Sequence, residues 1–204
     1  SIALQGIRTA SPTPGETIAV IGLGLLGQLT IQILQAYGFP VLGLDIDPLR
    51  VSEAIALGVE ATVITNPANT EKATLDFSKG RGTDQVIITA AATTNHPVEL
   101  AGTILRDRGT VTIVGDVKIN IPRRLYYQKE LNVRLSRSYG PGRYDTIYEE
   151  KGIDYPMPYV RWTEKRNIEE FLRLIKSKKV DVERLITHTF SINDAISAYD
   201  LISN

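Results

Sequence analysis

The sequence predicts an α/β protein built on a doubly wound parallel sheet, and three observations lead to this prediction. Segments with helical periodicity alternate with short apolar segments along the first 137 residues. The short segments are nearly continuous runs of valine, isoleucine and leucine, as strands are when helices cover both faces of a parallel sheet. The first of them, IAVI at 18–21, leads directly into three closely spaced glycines.

The elements follow one another in a regular order, with turn and stop signals between them. Segment 1–10 resembles the end of a helix that begins further upstream, and Pro12–Gly15 forms a turn. Pro48 occupies a first-turn position of a helix that Gly58 ends. The predicted strands are 16–22, 40–45, 61–64, 84–90 and 109–116, and the predicted helices that follow the first four of them are 25–37, 48–58, a stretch within 69–80, and 96–107.

The pattern changes after residue 137. Segment 138–166 carries tyrosines and the tryptophan among prolines and glycines, which is too irregular for a long element and too aromatic for a disordered linker. A helix over 167–179, a strand at 186–190 and a helix over 191–203 then follow. We therefore divide the chain into a doubly wound core at 1–137, an aromatic insert at 138–166 and a closing helix–strand–helix unit at 167–204.

Composition excludes several classes of function. The 204 residues are 43% hydrophobic and 23% charged, and Lys+Arg equals Asp+Glu at 23 each, so no net field attracts nucleic acid or a membrane surface. The absence of cysteine excludes disulfides, iron–sulfur clusters and thiolate zinc sites within these residues. No apolar run approaches the ~20 residues of a membrane span, and no signal-peptide pattern is present, so we expect a cytoplasmic protein.

The three glycines form a G-x-G-x-x-G motif, whose setting makes it informative. Gly22 closes a predicted strand with a tight turn, Gly24 leaves room for a pyrophosphate, and Gly27 lets the next helix lie close to the sheet. Free amides at the helix start, together with the helix dipole, stabilise phosphate charge. The segment therefore predicts a dinucleotide site of the Rossmann type, and it also contains Leu23, Leu25 and Leu26.

An acidic residue completes the motif. Asp45 closes the second predicted strand, where its carboxylate can accept hydrogen bonds from both adenosine ribose hydroxyls and repel a 2′-phosphate, which favours NAD over NADP. The alternative is a tight turn in which Asp45 caps the next helix, although Asp47 is the better cap candidate. Arg50 has two interpretations. In the first, it reaches the ribose or the adenine, beside Ile46, and can then attract a 2′-phosphate. In the second, it is a solvated helix residue.

Two further strand ends lie where ligands bind in open parallel sheets. At the end of the strand 84–90, small residues leave room for the cofactor. At the end of the strand 109–116, backbone groups can contact the nicotinamide amide. The alternative is that these are ordinary small residues at strand ends. The first end contains Thr89, Ala90 and Ala91, and the second contains Val114, Gly115 and Asp116.

The chain resembles the nucleotide-binding domain of medium-chain, zinc-type alcohol dehydrogenases. The resemblance rests on PGETIAVIGLGLLGQLTIQILQAYG, VLGLDIDPLRVSEAIALG, GTDQVIITAA, LRDRGTVTIVGD, KELNVRLSRS and ITHTFSINDAISAYDLI, in family order. It implies that the glycine motif, Asp45 and Arg50 hold the adenosine diphosphate half of the cofactor. It also implies that Thr89, Ala90 and 114–116 lie along the nicotinamide half, with Ser136 near the carboxamide.

The resemblance also carries expectations about activity. Members of the family have a separate catalytic domain with zinc ligands, which this sequence does not contain, so zinc is expected in the parent enzyme and not in this chain. We expect hydride transfer between nicotinamide and an alcohol, polyol or sugar in the full protein, no catalytic residue here, and an isolated chain without activity. A homodimer through GTVTIVGDVKINI is a further implication. The competing hypothesis is a regulatory module that binds NAD(H) without chemistry.

Other candidate residues have two interpretations. Aromatic and arginine side chains of the insert either line a substrate mouth or pack the insert onto the protein. These residues are Tyr139, Arg143, Tyr144, Arg161 and Trp162. His96 is expected to be solvated or to cap a helix, and His188 is expected to face a strand neighbour; neither has a partner at metal-ligand spacing.

Overall fold

The computed structural model describes residues 1–64 and 66–203, so the last residue of the predicted unit 167–204 lies outside the described residues. One sheet of six parallel strands has the order β3-β2-β1-β4-β5-β6. The strands are β1 (Ile18–Ile21), β2 (Val41–Asp45), β3 (Glu60–Val63), β4 (Thr83–Ile88), β5 (Leu105–Ile113) and β6 (Asn132–Leu135). The chain thus moves outward from β1 to β3 and returns to the centre at β4, which confirms the doubly wound α/β prediction.

Helices connect the strands and cover the sheet on both faces. They are α1 (Ile2–Ala10), α2 (Leu25–Ala36), α3 (Pro48–Ala56), α4 (Pro67–Phe77), α5 (His96–Ile104), α6 (Arg123–Gln128), α7 (Thr146–Glu149), α8 (Glu164–Lys176) and α9 (Ala195–Ser203). In the described ranges, none of them is both long and apolar enough to cross a membrane.

Two apolar clusters hold the helices on the sheet. The cluster on one face joins α1, α2, α3 and α8, and its fully buried side chains include Leu4, Leu34 and Leu174. The cluster on the other face joins α5 and α6, with Ile104 and Tyr126 buried against the strands. This double cover explains why β1, β2 and most of β4 have no polar face in the sequence.

Several element predictions are wrong. Segment 186–190 forms no strand in the described structure, and Ile186 and Phe190 are exposed, because the segment meets no free sheet edge with which to pair. The helix predicted over 96–107 ends at Ile104, after which β5 begins. Helices α6 and α7 were not predicted, and α8 begins at Glu164, within the predicted insert.

The segment GTVTIVGDVKINI, which is predicted to pair in a homodimer, lies only partly within the sheet. Its first five residues belong to strand β5, which pairs with β4 on one side and with β6 on the other, and the dimer contact of the remaining residues stays a prediction. A second copy therefore cannot pair with β5, because its backbone groups are already used within the sheet. The free edge on this side is β6, where Val133 and Leu135 are exposed.

Candidate functional site

A cavity of about 480 Å³ opens at the carboxyl ends of β1 and β4, where the chain changes direction in the sheet. Its lining brings together most of the residues predicted to bind a dinucleotide. Those residues are Gly22, Gly24, Leu25, Leu26, Asp45, Ile46, Arg50, Thr89, Ala90 and Ala91. A second cavity of about 470 Å³, around Lys129 and Arg106, contains the amino end of β5 and is not connected with these residues.

Two of the three glycines are required by the turn itself. Gly22 has a φ of +95°, and a Cβ there would lie 2.5 Å from the backbone nitrogen of Ala90. A Cβ on Gly27 would collide with the carbonyl oxygen of Gly22. The hydroxyl of Thr89 donates to that same carbonyl at 2.6 Å, which ties the end of β4 to the turn. These contacts fix the path of the backbone between β1 and α2.

Gly24 differs from the other two because it faces open space. Within 4 Å of a Cβ built there lies only the Nη1 atom of Arg50, at 3.9 Å. Gly24 is the N-cap of the twelve-residue helix α2, and it has no side chain to satisfy the first amides of the helix. The first turn of α2 also contains no acidic residue. Bare backbone and free helix amides thus meet at one wall of the cavity, as anion binding requires.

Asp45 connects the glycine turn to the end of β2. Its side chain is 4% exposed, and Oδ2 accepts a hydrogen bond from the backbone nitrogen of Leu23 at 2.5 Å. Oδ1 accepts from the backbone nitrogen of Asp47 at 2.9 Å. Asp47, and not Asp45, caps α3 by accepting from the backbone nitrogen of Leu49. The predicted cap is therefore confirmed, and the alternative in which Asp45 caps the helix is wrong.

Arg50 lines the cavity, although about half of its side chain, 51%, is exposed to solvent. Its Nη1 atom lies 3.8 Å from Oδ2 of Asp45, and its Nε atom lies 3.6 Å from Oδ2 of Asp47. Its backbone carbonyl accepts a hydrogen bond of 2.9 Å from the buried side chain of Gln28 on α2. The guanidinium is thus held between two carboxylates, above the glycine turn.

The remaining predicted site residues lie outside this cavity. Leu23 is fully buried under the turn, and Val114 packs where Gly6 leaves room on α1. A Cβ on Gly115 would collide with the carbonyl of Ala90, so the ends of β4 and β5 are in close contact. Asp116 lines a separate open cleft of about 800 Å³, which it shares with Ala91.

Ser136 lies beside α1 at the end of β6. It follows β6, and its backbone nitrogen donates to the carbonyl of Ile113. Its hydroxyl accepts from the hydroxyl of Thr9 on α1 at 3.4 Å. It lines neither the cavity nor the open cleft.

One wall of the cavity was missed by sequence reasoning. Thr94, His96 and Pro97, which follow β4, face into it. Asn95 holds this wall in place, since its side chain donates to the carbonyl of Asn120 at 2.7 Å and accepts from the same residue's nitrogen at 2.8 Å. The available signal was Pro97, whose first-turn position puts the start of a helix directly after a strand at the binding edge.

Comparison with known proteins identifies the family. The profile described as zinc-binding dehydrogenase matches residues 26–151, which is more than half of the chain. The chain belongs to the zinc-binding dehydrogenase family. The resemblance to medium-chain, zinc-type alcohol dehydrogenases is thereby confirmed, and the family is one of oxidoreductases.

Curated relatives of the chain include polyol enzymes. D-xylulose reductase A of Aspergillus oryzae is 30% identical over 98% of the chain and 50% of its own length, and sorbitol dehydrogenase of Halalkalibacterium halodurans is 25% identical over 98% and 52%. The chain spans about half the length of these curated relatives.

Solved structures share the fold of the chain. Alcohol dehydrogenase TADH from Thermus sp. ATN1 has a TM-score of 0.71 and 22% identity, covering 99% of this chain and 53% of its own. Galactitol-1-phosphate dehydrogenase from Escherichia coli has a TM-score of 0.72 and 20% identity, and the match covers 100% of this chain and 54% of the dehydrogenase chain.

The aromatic residues of the insert pack against arginines. The guanidinium groups of Arg8 and Arg161 lie 3.2 and 3.7 Å from the ring centroid of Trp162, so they cover opposite faces of the ring. Arg143 pairs with Glu149 at 2.9 Å, and Tyr139 bonds to the same carboxylate. These side chains are already engaged within the protein, which favours the packing interpretation over a substrate mouth.

The acidic and histidine side chains of the described residues do not form a metal-binding cluster. Among residues 1–64 and 66–203, no group of three or more His, Asp or Glu side chains is arranged to hold a metal ion. His188 stacks on Phe190 with ring centroids 6.2 Å apart, so the expectation that it faces a strand neighbour is wrong. His96 is exposed and Asn95 is the N-cap of α5, so the solvated alternative applies to His96.

Proposed function

We propose that this chain is the NAD(H)-binding part of a medium-chain dehydrogenase that transfers hydride between nicotinamide and an alcohol, polyol or sugar. The observation that carries the proposal is the bare backbone of Gly24 at the start of α2, which faces the cavity beside Asp45. The family membership and the polyol enzymes among the relatives support the same reaction class.

The residues of the cavity fit the cofactor in two parts. The amides at Gly24 and Leu25 would hold the pyrophosphate, because the helix start is uncapped and only the guanidinium of Arg50 comes within 4 Å of a Cβ built at Gly24. Asp45 and Arg50 would hold the adenosine ribose. A buried carboxylate at this position favours the ribose hydroxyls of NAD over the 2′-phosphate of NADP.

The chain contributes binding and orientation to the reaction. When bound, the nicotinamide gives or accepts the hydride. The turn, fixed by Thr89 and Asp45, would hold the pyrophosphate at one position, and Asn95 fixes a further wall of the cavity. Zinc chemistry, where the parent enzyme uses it, would come from residues outside this chain.

We also propose that two copies associate through β6. The strand has a free edge, and Val133 and Leu135 are exposed on it. Ile119 and Ile121 are exposed in the loop between β5 and α6. An unprotected parallel edge with apolar neighbours is a favourable surface for strand pairing.

The test of cofactor binding compares the wild-type chain with Gly24→Ala. The φ of −64° and the open space at Gly24 allow an alanine without strain, so stability to urea should not change. The methyl group would nevertheless stand where the pyrophosphate approaches, and NADH affinity should fall roughly tenfold or more. Isothermal titration with NADH measures this. Absence of NADH binding to the wild type, or unchanged binding to the variant, would contradict the proposal.

A further inference from the structure

We propose that Asp47 is a positioning residue that sets the cofactor selectivity of this site by holding the guanidinium of Arg50 away from a 2′-phosphate. The inference rests on the proposed NAD(H) function and extends it to a residue that sequence reasoning treated as a helix cap only. It concerns the choice between two dinucleotides that differ by one phosphate.

The geometry gives Arg50 two acidic partners at the same time. Asp47 lies 3.6 Å from Nε and Asp45 lies 3.8 Å from Nη1, so the carboxylates address different nitrogens of one guanidinium. Both distances exceed the range of good hydrogen bonds, and the attraction is therefore mainly Coulombic. The backbone of Arg50 is fixed separately by Gln28, so a change in the ion pairs moves the side chain and leaves the main chain in place.

The two oxygens of Asp47 have separate tasks. Oδ1 accepts from the backbone nitrogen of Leu49 at 2.9 Å and caps α3. Oδ2 is the atom that faces Arg50. An asparagine at this position keeps an oxygen for the cap and removes the charge, so the two tasks can be tested apart.

The charge balance explains the expected selectivity. The guanidinium of Arg50 faces the carboxylates of both Asp45 and Asp47 at the ribose side of the cavity. A phosphate monoester carries about −1.5 to −2 near neutral pH and needs an available cation, which Arg50 does not provide while Asp47 also pairs with it. Without the charge of Asp47, the pair Asp45–Arg50 is neutral overall, and Arg50 is free to form the charge-assisted bonds that arginine makes with phosphate.

The experiment measures dissociation constants of NADH and NADPH for the full chain and for Asp47→Asn. We expect the ratio of the NADPH constant to the NADH constant to fall roughly tenfold, mostly through tighter NADPH binding. The matched control is Glu53→Gln, which removes the same charge from an exposed position on α3 and should leave the ratio unchanged. Urea unfolding of Asp47→Asn should match the wild type, because the cap is retained.

The same substitution in an Arg50→Ala variant distinguishes positioning of Arg50 by Asp47 from direct repulsion of the 2′-phosphate by Asp47. In Arg50→Ala, the further change Asp47→Asn should move the ratio much less than it does in the wild type, because the guanidinium through which Asp47 acts is gone. A ratio unchanged in Asp47→Asn, or an equal shift in both backgrounds, would overturn the inference while NADH binding by the wild type still supports the proposed function. Failure of the wild type to bind either cofactor would overturn both.

Discussion

The carboxylate of Asp45 accepts a hydrogen bond from the backbone nitrogen of Leu23, 2.5 Å away, although the two residues are 22 positions apart. The bond joins the turn after β1 to the end of β2 inside the protein. Asp45 therefore has a structural task in addition to its proposed contact with the ribose. Its substitution should affect folding and binding together.

We expect Asp45→Asn to lower the free energy of unfolding by about 1–3 kcal/mol, because the amide cannot replace both acceptors in a buried place. NADH affinity should fall as well. Urea unfolding and NADH titration measure the two effects. The control is Asp76→Asn, whose carboxylate pairs with Lys72 on the surface of α4 and should contribute less than about 1 kcal/mol. Equal effects of the two substitutions would refute the structural task of Asp45.

Gly22→Ala should lower the free energy of unfolding much more than Gly38→Ala, although both glycines have a positive φ. Gly38 has a φ of +84° and no atom within 4 Å of a built Cβ, so Gly38→Ala measures the backbone cost alone, about 1 kcal/mol. Gly22→Ala adds a collision with the backbone of Ala90, which should cost roughly 1–3 kcal/mol more. Urea unfolding of the two variants tests this, and similar values for both would show that the turn can relax.

Glu170 should make the protein sensitive to acid. Hydrogen bonds from Arg173 lower the pKa of its carboxyl to about 2, from a usual value of 4.5, and the hydroxyl of Tyr37 contributes at 2.6 Å. Because the folded pKa is the lower one, this stabilisation is present above pH 4.5 and is lost as the pH falls towards 2.

The test is the pH dependence of unfolding in Glu170→Gln. The variant should lose less stability than the wild type between pH 5 and pH 2, values that bracket the two pKa values of Glu170. Glu169→Gln, at an exposed neighbouring position of α8, is the matched control and should keep the wild-type slope. If the free energy of unfolding of Glu170→Gln depended on pH as it does in the wild type, the interaction of Glu170 with Arg173 would not persist in solution.

The isolated chain should not oxidise alcohols, polyols or sugars, even with added zinc. The chain spans about half the length of the curated relatives it matches, and the cavity lining offers the proposed cofactor contacts without an assigned catalytic residue. Formation of NADH, followed by absorbance in the presence of NAD and substrate, is the measurement. Turnover by a preparation whose NADH binding is intact would show that catalytic groups lie within these residues.

The sequence predicted the parts of the fold that depend on local pattern. The buried strands are short apolar runs, and the glycine turn has a spacing that few other structures require, so both were found. The strand expected at 186–190 was wrong because β-branched composition is a local signal, whereas a strand also needs a neighbouring edge. The helix boundary at Ile104 was missed for the same reason, since pairing of Leu105 with Thr83 ends the helix.

In the candidate site, too, the contacts that depend on other elements could not be predicted from the local sequence. Asp45 was expected at the cavity from its position after β2, but its bond to Leu23 depends on the register in which β1 and β2 pair. The pairing of Arg50 with Asp47 follows from helical spacing, which places residues three apart on one side of α3. The cofactor-binding roles implied by family resemblance stay predictions for all of the site residues, and Val114 and Ser136 lie outside the cavity.

The protein has one tryptophan, and it lies between the guanidinium groups of Arg8 on α1 and Arg161 in the insert. Its indole emission is therefore an intrinsic optical signal for the attachment of the insert to the first helix. Detachment of that segment would change the spectrum while the far-ultraviolet signal of the sheet and its helices remained, so the two events can be followed separately in one sample.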